Sequence, residues 1–187
     1  MADYIYSMET RLTPDQQKGV SLVQEIARRA GLNLYLTGGT IRDLVTGFPI
    51  RDIDLSIQGN PLKLQKELEK AGISVSGVDE DLRTLQLLMP GNVRAELNMT
   101  RSETYDKPGK APVIAPATIN EDLRRRDFTV NAMALSLNPG SRGLLLDDCL
   151  HDCRTFTENV PLRSYSVAKS STLCYCSLLQ RSRCSLS

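Results

Sequence analysis

Apolar side chains near the start of the chain recur every three or four residues, from Val20 to Ala27. This is the spacing of one face of an α-helix. Thr13-Pro14 precedes the run and is typical of a capped helix start, while Gly31 follows it and is typical of a helix end. The pattern therefore predicts a capped amphipathic helix between Thr13 and Gly31.

The next residues predict a strand, a tight turn and a short helix. Asn33 to Thr37 form a short apolar stretch that runs into Gly38-Gly39. A diglycine between periodic segments marks a turn. The segment from Thr40 to Thr46 is compatible with a short helix, which Gly47 would end.

Residues from Ile50 to Ile57 follow a period of two, with Asp52, Asp54 and Ser56 on one face and Ile53, Leu55 and Ile57 on the other. A period of two is expected of a β-strand with one buried face. Asp52 and Asp54 fall on the polar face. The pattern therefore predicts a half-buried strand that presents both carboxylates on one side.

Weaker patterns divide the rest of the chain up to residue 147. The segment from Thr100 to Ala117 is rich in Pro, Gly, Lys and Asp, has no periodicity, and is interpreted as a mobile surface loop. Thr118 predicts the start of a helix whose middle is the basic run Arg124-Arg125-Arg126. The other predicted elements are a helix from Asn60-Pro61 to Lys70 and strands at Ile73–Val78, Leu82–Met89, Val93–Met99 and Leu144–Leu146.

Composition favours one domain with an appendage, because 187 residues with 41% apolar content suffice for one proper core. The net charge of +1 provides no global basic field, so any nucleic-acid contact must come from a local cluster. No stretch approaches the roughly 18 to 20 apolar residues of a membrane span, and the N-terminus lacks the features of a signal peptide. The sequence predicts a cytoplasmic protein without a membrane partner.

The last part of the chain, residues 148–187, has a different character. It contains all five cysteines, an odd number without the ligand spacing of zinc ribbons, which disfavours both a disulfide framework and a zinc site. No regular period persists there, and we hypothesise a change of reading frame near residue 147 or a miscalled reading frame. The predicted organisation is an N-terminal helix (1–32) packed on a main domain (33–147), followed by an aberrant or disordered tail (148–187).

Two short motifs suggest chemistry. Asp52 and Asp54, two residues apart on a strand, project from the same face and are suited to sharing divalent cations such as Mg²⁺. Gly38-Gly39 lets backbone N–H groups approach a triphosphate, and Arg42 lies within reach of the same phosphates. Taken alone, each motif also has a plain explanation, as surface aspartates or as an ordinary tight turn.

The two motifs together, Gly-Gly-Thr-Ile-Arg-Asp from Gly38 and Asp-Ile-Asp-Leu from Asp52, resemble a signature of the class II tRNA nucleotidyltransferase (CCA-adding enzyme) and bacterial poly(A) polymerase family. That family lies within the DNA polymerase β-like superfamily. A second segment, Arg125-Arg126-Asp127-Phe128-Thr129, is similar to the family's Arg-Arg-Asp-Phe-Thr motif. The resemblance covers roughly residues 20–147.

The resemblance implies an α/β (α+β) head domain with a mixed sheet flanked by helices. It implies that Asp52 and Asp54 are catalytic and hold Mg²⁺, with Glu96 as a candidate further ligand, although a strand glutamate is often a plain surface residue. The implied nucleotide-binding residues are Gly38, Gly39, Arg42, Arg125, Arg126, Asp127 and Asn131.

Three functional hypotheses remain open at this point. The first is an enzyme head that transfers a nucleotide from CTP or ATP to an RNA 3′ end, expected to be that of tRNA, with two Mg²⁺ ions. The second is an inactive or truncated fragment that binds NTP and Mg²⁺ but lacks the base-selecting neck. The third, a nucleotidyltransferase for small substrates, is disfavoured by the Arg-Arg-Asp-Phe-Thr match. Catalysis by a Ser/His/Asp or Cys/His set is discarded, because the one histidine, His151, lies in the tail. The sequence predicts no oligomeric state.

Overall fold

The computed structural model describes residues 4–105, 111–126 and 131–147. Two helices open this part of the chain, α1 (Tyr4–Arg11) and α2 (Pro14–Arg29). The prediction for α2 is confirmed. Thr13 caps it, with its side chain accepting from the Gln16 backbone N–H while the Gln16 side chain accepts from the Thr13 N–H, so a capping box satisfies two free donors. Helix α1 was not predicted.

A seven-stranded mixed sheet forms the centre of the fold, in the order β3-β4-β5-β2-β1-β8-β9. Only β2 and β5 run parallel among the described strand pairs, and every other neighbouring pair in this sheet is antiparallel. The predicted mixed sheet with helices is confirmed. The strands are β1 (Leu34–Thr37), β2 (Ile53–Ile57), β3 (Ser74–Asp79), β4 (Thr84–Met89), β5 (Val93–Met99), β8 (Met133–Ser136) and β9 (Leu145–Asp147).

The predicted strand around the two aspartates needs correction. Strand β2 starts at Ile53, so Asp52 lies just before it in a bend rather than within it. The strand is not half-buried either, because it lies between β5 and β1 and Ser56 on the supposed polar face is fully buried. Within β2, Asp54 is the residue that keeps partial access to solvent.

The segment predicted to be a mobile loop contains regular structure. Strands β6 (Arg101–Thr104) and β7 (Val113–Pro116) pair antiparallel as a separate two-stranded sheet. The loop prediction is therefore wrong for these residues. The hairpin was not predicted because the segment is rich in proline, glycine and charged residues and has no alternating apolar pattern. A strand that is exposed to water does not need that pattern.

Helices α3 (Gly38–Thr46), α4 (Gln65–Lys70, preceded by a short 3₁₀ turn) and α5 (Ile119–Arg124) complete the described fold. Helix α3 begins at the first glycine of the diglycine and ends at Gly47, which has the left-handed φ of 87°. Helix α5 is capped by Thr118, which was predicted to mark its start, but it ends at Arg124. The arginine run is therefore at its C-terminal end and not in its middle. None of the described helices is long and apolar enough to cross a membrane.

Helix α2 packs so closely on the sheet that Gly19 leaves no room for a side chain. A Cβ at Gly19 would lie 3.0 Å from the Met89 Cβ. We expect Gly19→Val to lower the free energy of unfolding by about 1–3 kcal/mol, because the added methyl groups overpack this contact. Urea unfolding followed by circular dichroism measures it.

The matched control is Ser21→Val, which places the same side chain on the exposed face of α2. Equal unfolding midpoints for the two variants would contradict the packing of α2 on the sheet through Gly19.

Candidate active site

The start of α3 is tied to the start of β2 by hydrogen bonds. The Gly39 N–H donates to Asp54 Oδ2 at 2.9 Å. The Thr40 hydroxyl accepts from the Asp54 N–H at 2.6 Å and donates to the Asp52 carbonyl oxygen at 3.2 Å. These contacts place the Asp54 carboxylate directly against the N-terminus of a helix, where backbone N–H groups and the helix dipole favour negative charge.

Both glycines leave space beside this carboxylate. A Cβ at Gly38 would lie 3.1 Å from Asp54 Oδ2 and 3.4 Å from Arg126 Nη1. A Cβ at Gly39 would lie 3.2 Å from the same Asp54 oxygen and 3.4 Å from Arg42 Nη2. Gly38 also has a φ of +59°, which side chains with a Cβ rarely adopt. The diglycine therefore keeps open a space bounded by one carboxylate and two guanidinium groups.

Two arginines and an asparagine form the cationic side of this space. Arg42 Nη1 lies 3.5 Å from Asn131 Oδ1, and its Nε donates to Asp43 Oδ1 at 2.8 Å. Arg126 Nη1 lies 3.4 Å from the Asn131 carbonyl oxygen. Asn131 is thus the residue that both guanidinium groups contact, and guanidinium groups are suited to phosphate oxygens.

Glu96 faces Asp54 from the neighbouring strand. Asp54 pairs with Glu96 in the parallel register of β2 and β5. Burial raises the pKa of Asp54 above its ordinary value, although hydrogen bonds from Gly39 and Thr40 and the charge of Arg126 oppose it. Burial also raises the pKa of Glu96, and the charge of Asp54 adds to that increase. A carboxylate whose ionisation is opposed by burial and by a neighbouring carboxylate is suited to a bound cation.

Together these residues line one cavity of about 400 Å³, to which Thr37 and Asn98 also contribute. Of the predicted site residues, the structure brings Gly38, Gly39, Arg42, Asp54, Glu96, Arg126 and Asn131 to this cavity. Sequence reasoning had not assigned Thr37 or Asn98 to the site. The period of two along β5 contained the signal for Asn98, because residues two apart on a strand share a face with Glu96.

Asp52 is close to Asp54 but is not part of the cavity lining. It is exposed, and its charge raises the pKa of Asp54, although burial is the larger cause. Within residues 4–105, 111–126 and 131–147 no three carboxylate, histidine or cysteine side chains are grouped so that they could hold one ion. Mg²⁺ is commonly held by one or two carboxylates together with substrate phosphates, so the Asp54 carboxylate, with that of Asp52 or Glu96, fits that kind of site.

One predicted nucleotide-binding residue of the described part of the chain, Arg125, is not among the residues that line the cavity. Arg125 donates to Asp122 Oδ1 from Nη2 at 2.8 Å and to Glu103 Oε1 from Nη1 at 2.7 Å. Its position gives no support to direct nucleotide binding. Asp127 lies outside the described residues, as do the cysteines and His151 of the predicted tail.

The chain's sequence matches the family described as the Poly A polymerase head domain over residues 34–155, more than half of its 187 residues. The chain belongs to this family. The head-domain match starts at β1 and runs past the limit of the resemblance at residue 147, to residue 155. The predicted division between the main domain and a tail from residue 148 stays a prediction. Membership in this nucleotidyltransferase family implies the use of a divalent metal ion.

Individual proteins that are similar to this chain are tRNA nucleotidyltransferases, which is consistent with the family. The A-adding tRNA nucleotidyltransferase of Halalkalibacterium halodurans is 36% identical over 140 residues, which cover 75% of this chain and 33% of the relative. A solved CCA-adding enzyme in an apo form has a TM-score of 0.69 at 31% identity, covering 82% of this chain and 37% of that one. A tRNA nucleotidyltransferase complexed with a primer tRNA and an incoming ATP analogue has a TM-score of 0.55 at 33% identity, covering 71% and 36%. The predicted family is confirmed, and the chain spans about a third of the length of these relatives.

The hydroxyl of Thr40 is expected to hold the head-domain site together. Thr40→Val leaves the Asp54 N–H and the Asp52 carbonyl without their side-chain partner in a part of the chain that is largely buried. We expect a loss of about 1–3 kcal/mol in the free energy of unfolding. Urea unfolding of the purified chain measures it.

Thr46→Val on the same helix is the control, because the Thr46 hydroxyl donates to a helix carbonyl, that of Arg42. It should cost less than about 0.5 kcal/mol. Equal losses for the two variants would show that the Thr40 bridge contributes nothing of its own.

Proposed function

We propose that this chain is the head of a template-independent RNA nucleotidyltransferase that binds CTP or ATP with Mg²⁺ and transfers the nucleotide to an RNA 3′ end, that of tRNA. The observation that supports it most is the contact between the Gly39 N–H and Asp54 beside the diglycine space. There, the carboxylates of Asp54 and Glu96, a helix N-terminus and two arginines surround a single cavity. This is the arrangement that an NTP with its metal requires.

The proposed roles follow from the chemistry of each side chain. The Gly38-Gly39 backbone approaches the triphosphate, since no Cβ intervenes. Arg42 and Arg126 neutralise the phosphate oxygens, and Asn131 aligns the two guanidinium groups. The 3′-hydroxyl oxygen forms a bond to the α-phosphorus while the bond to the leaving pyrophosphate breaks.

Asp54 and Asp52, with Glu96 as a further candidate, are proposed to hold Mg²⁺. Mg²⁺ bound there would favour ionisation of the attacking hydroxyl and neutralise charge on the pyrophosphate. Asp54 is held in place for this by Gly39 and Thr40, and the nearby Arg126 charge favours its ionised form. Asp127 is proposed to accept from the ribose, as the resemblance implies.

The relatives support RNA as the acceptor. One matching structure holds a primer tRNA and an ATP analogue, and the relative from Halalkalibacterium halodurans is an A-adding tRNA nucleotidyltransferase. Since this chain spans about a third of each, tRNA as substrate is part of the proposal. A cytoplasmic location, where tRNA and nucleoside triphosphates are both available, belongs to it too.

A second candidate is favoured by that same partial coverage. The chain would then hold NTP and Mg²⁺ without selecting a base or retaining RNA, because the remaining two thirds of the relatives' length is not represented in it. Both candidates use the same cavity, so they differ in turnover and not in nucleotide binding.

Incubation of the chain with labelled CTP or ATP, tRNA lacking its 3′ terminus and Mg²⁺ separates the two candidates. Label incorporated into tRNA, and abolished by EDTA, supports the enzyme head. Nucleotide binding by calorimetry without incorporation supports the binding fragment. If neither CTP nor ATP binds in the presence of Mg²⁺, both candidates are wrong.

A further inference from the structure

A fully buried carboxylate lies behind the cavity and is not one of its lining residues. Asp122, on α5, is 0% exposed. Its Oδ1 accepts from the Arg101 backbone N–H at 3.1 Å. A buried charge is costly unless it is paired and hydrogen-bonded, so the partners of Asp122 indicate what the burial achieves.

Each oxygen of the Asp122 carboxylate is held by a different arginine. Arg125 donates to Oδ1 from Nε at 3.0 Å and from Nη2 at 2.8 Å. Arg126 donates to Oδ2 from Nε at 3.2 Å and from Nη2 at 2.8 Å. Two N–H groups on one oxygen fix the plane of a guanidinium group, which a single hydrogen bond would leave free to rotate.

Fixing Arg126 by Nε and Nη2 directs its third nitrogen, Nη1, to the cavity. Nη1 is the Arg126 atom that would meet a Cβ at Gly38, at 3.4 Å, and its hydrogen bond to the Asn131 carbonyl oxygen is long, at 3.4 Å. The arginine side chain has many rotamers in solution. Asp122 selects one in which the positive charge already faces the position proposed for the phosphates.

The same carboxylate connects the cavity to the β6–β7 hairpin. Its bond to the Arg101 N–H fixes the first residue of β6, and Arg125 extends the network to Glu103 on that strand. Arg101 Nε donates to the same Glu103 oxygen at 2.9 Å. The position of Arg126 and the base of the hairpin are therefore set by one side chain.

From this geometry we infer that Asp122 is a positioning residue for nucleotide binding, which acts through Arg126 without touching the nucleotide. The inference rests on the proposed function, since it assigns the Arg126 guanidinium to the triphosphate. Arg126 without Asp122 keeps its charge but loses its fixed orientation. Nucleotide affinity therefore falls although every cavity-lining residue is still present.

Isothermal titration of the full chain with ATP and Mg²⁺ tests this through a double-mutant cycle of Asp122→Asn and Arg126→Gln. Each single variant is expected to raise the Kd about tenfold, the range expected for a charge-assisted contact. The double variant is expected to bind no more weakly than Arg126→Gln alone, because the inference has Asp122 act on the nucleotide through Arg126.

Glu121→Ala is the matched control for damage to α5. Glu121 accepts from the Thr118 N–H at 2.8 Å as part of the capping box, so its replacement lowers the melting temperature by weakening the same helix. It is expected to leave the Kd unchanged. Should Asp122→Asn fail to fold, Arg126→Lys replaces it, because lysine keeps the charge but cannot place two N–H groups in that planar arrangement.

The outcomes separate the inference from the proposed function. Unchanged ATP affinity in Arg126→Gln overturns the assignment of the cavity itself. If Arg126→Gln weakens ATP binding, two results would overturn the role of Asp122 alone. One is that the losses of affinity in the cycle are additive, and the other is that Asp122→Asn binds ATP with unchanged affinity. Wild-type affinity in Arg126→Lys, where that variant is used, overturns it as well.

Discussion

Asp54→Asn is expected to abolish the Mg²⁺-dependent part of ATP binding while leaving the fold intact or more stable. Asparagine can still accept the hydrogen bond from Gly39 but has no charge to offer a cation. Because burial raises the pKa of Asp54, removal of the charge also removes a desolvation cost from the folded state. Affinity for ATP in Mg²⁺ should fall at least about tenfold, measured by titration calorimetry with and without EDTA.

Asp81→Asn provides the comparison, because Asp81 is an exposed carboxylate in the turn between β3 and β4. It should bind ATP as the wild type does. Retention of full Mg²⁺-dependent affinity by Asp54→Asn would remove Asp54 from the site. A cooperative loss of structure in that variant would show that the carboxylate is needed for folding instead.

Gly39→Val is expected to eliminate nucleotide binding by filling the cavity. The new Cβ would lie 3.2 Å from Asp54 Oδ2 and 3.4 Å from Arg42 Nη2, and the γ-methyl groups would extend beyond it. They would exclude the triphosphate from the backbone N–H groups at the start of α3. We expect a rise of more than about a hundredfold in the Kd for ATP with Mg²⁺ by the same titration, because the phosphate contacts are lost together.

The control is Gly140→Val, since a Cβ at Gly140 has nothing within 4 Å. It should leave ATP affinity unchanged. ATP binding by Gly39→Val at wild-type strength would mean that the triphosphate does not approach the diglycine.

Local patterns were sufficient for several elements and for part of the site. The capping residues Thr13 and Thr118 marked helix starts because short polar side chains accept from free helix N–H groups. The alternation from Val93 to Met99 indicated β5 in full. Gly38-Gly39 and Asp54 were assigned to one site through their resemblance to a family motif, and the structure places them in contact.

Contacts between distant segments were not predictable from these patterns. The parallel pairing that brings Glu96 beside Asp54 joins strands separated by β3 and β4. In the run of arginines, a solvated helix face and a phosphate site look alike in sequence. Arg126 reaches the cavity whereas its neighbour Arg125 turns to Glu103, since successive residues at a helix end point in different directions. The burial of Asp122 depends on both arginines and on the hairpin.

Paramagnetic broadening of backbone amide resonances by Mn²⁺, in place of Mg²⁺ and in the presence of ATP, tests the central claim most directly. The account predicts that the amides of Gly39 and Asp54 broaden first, while Gly31, which precedes the other end of β1, stays sharp. In Asp54→Asn this selective broadening should disappear. Uniform broadening, or broadening centred away from the diglycine, would contradict a metal-nucleotide site between α3 and β2.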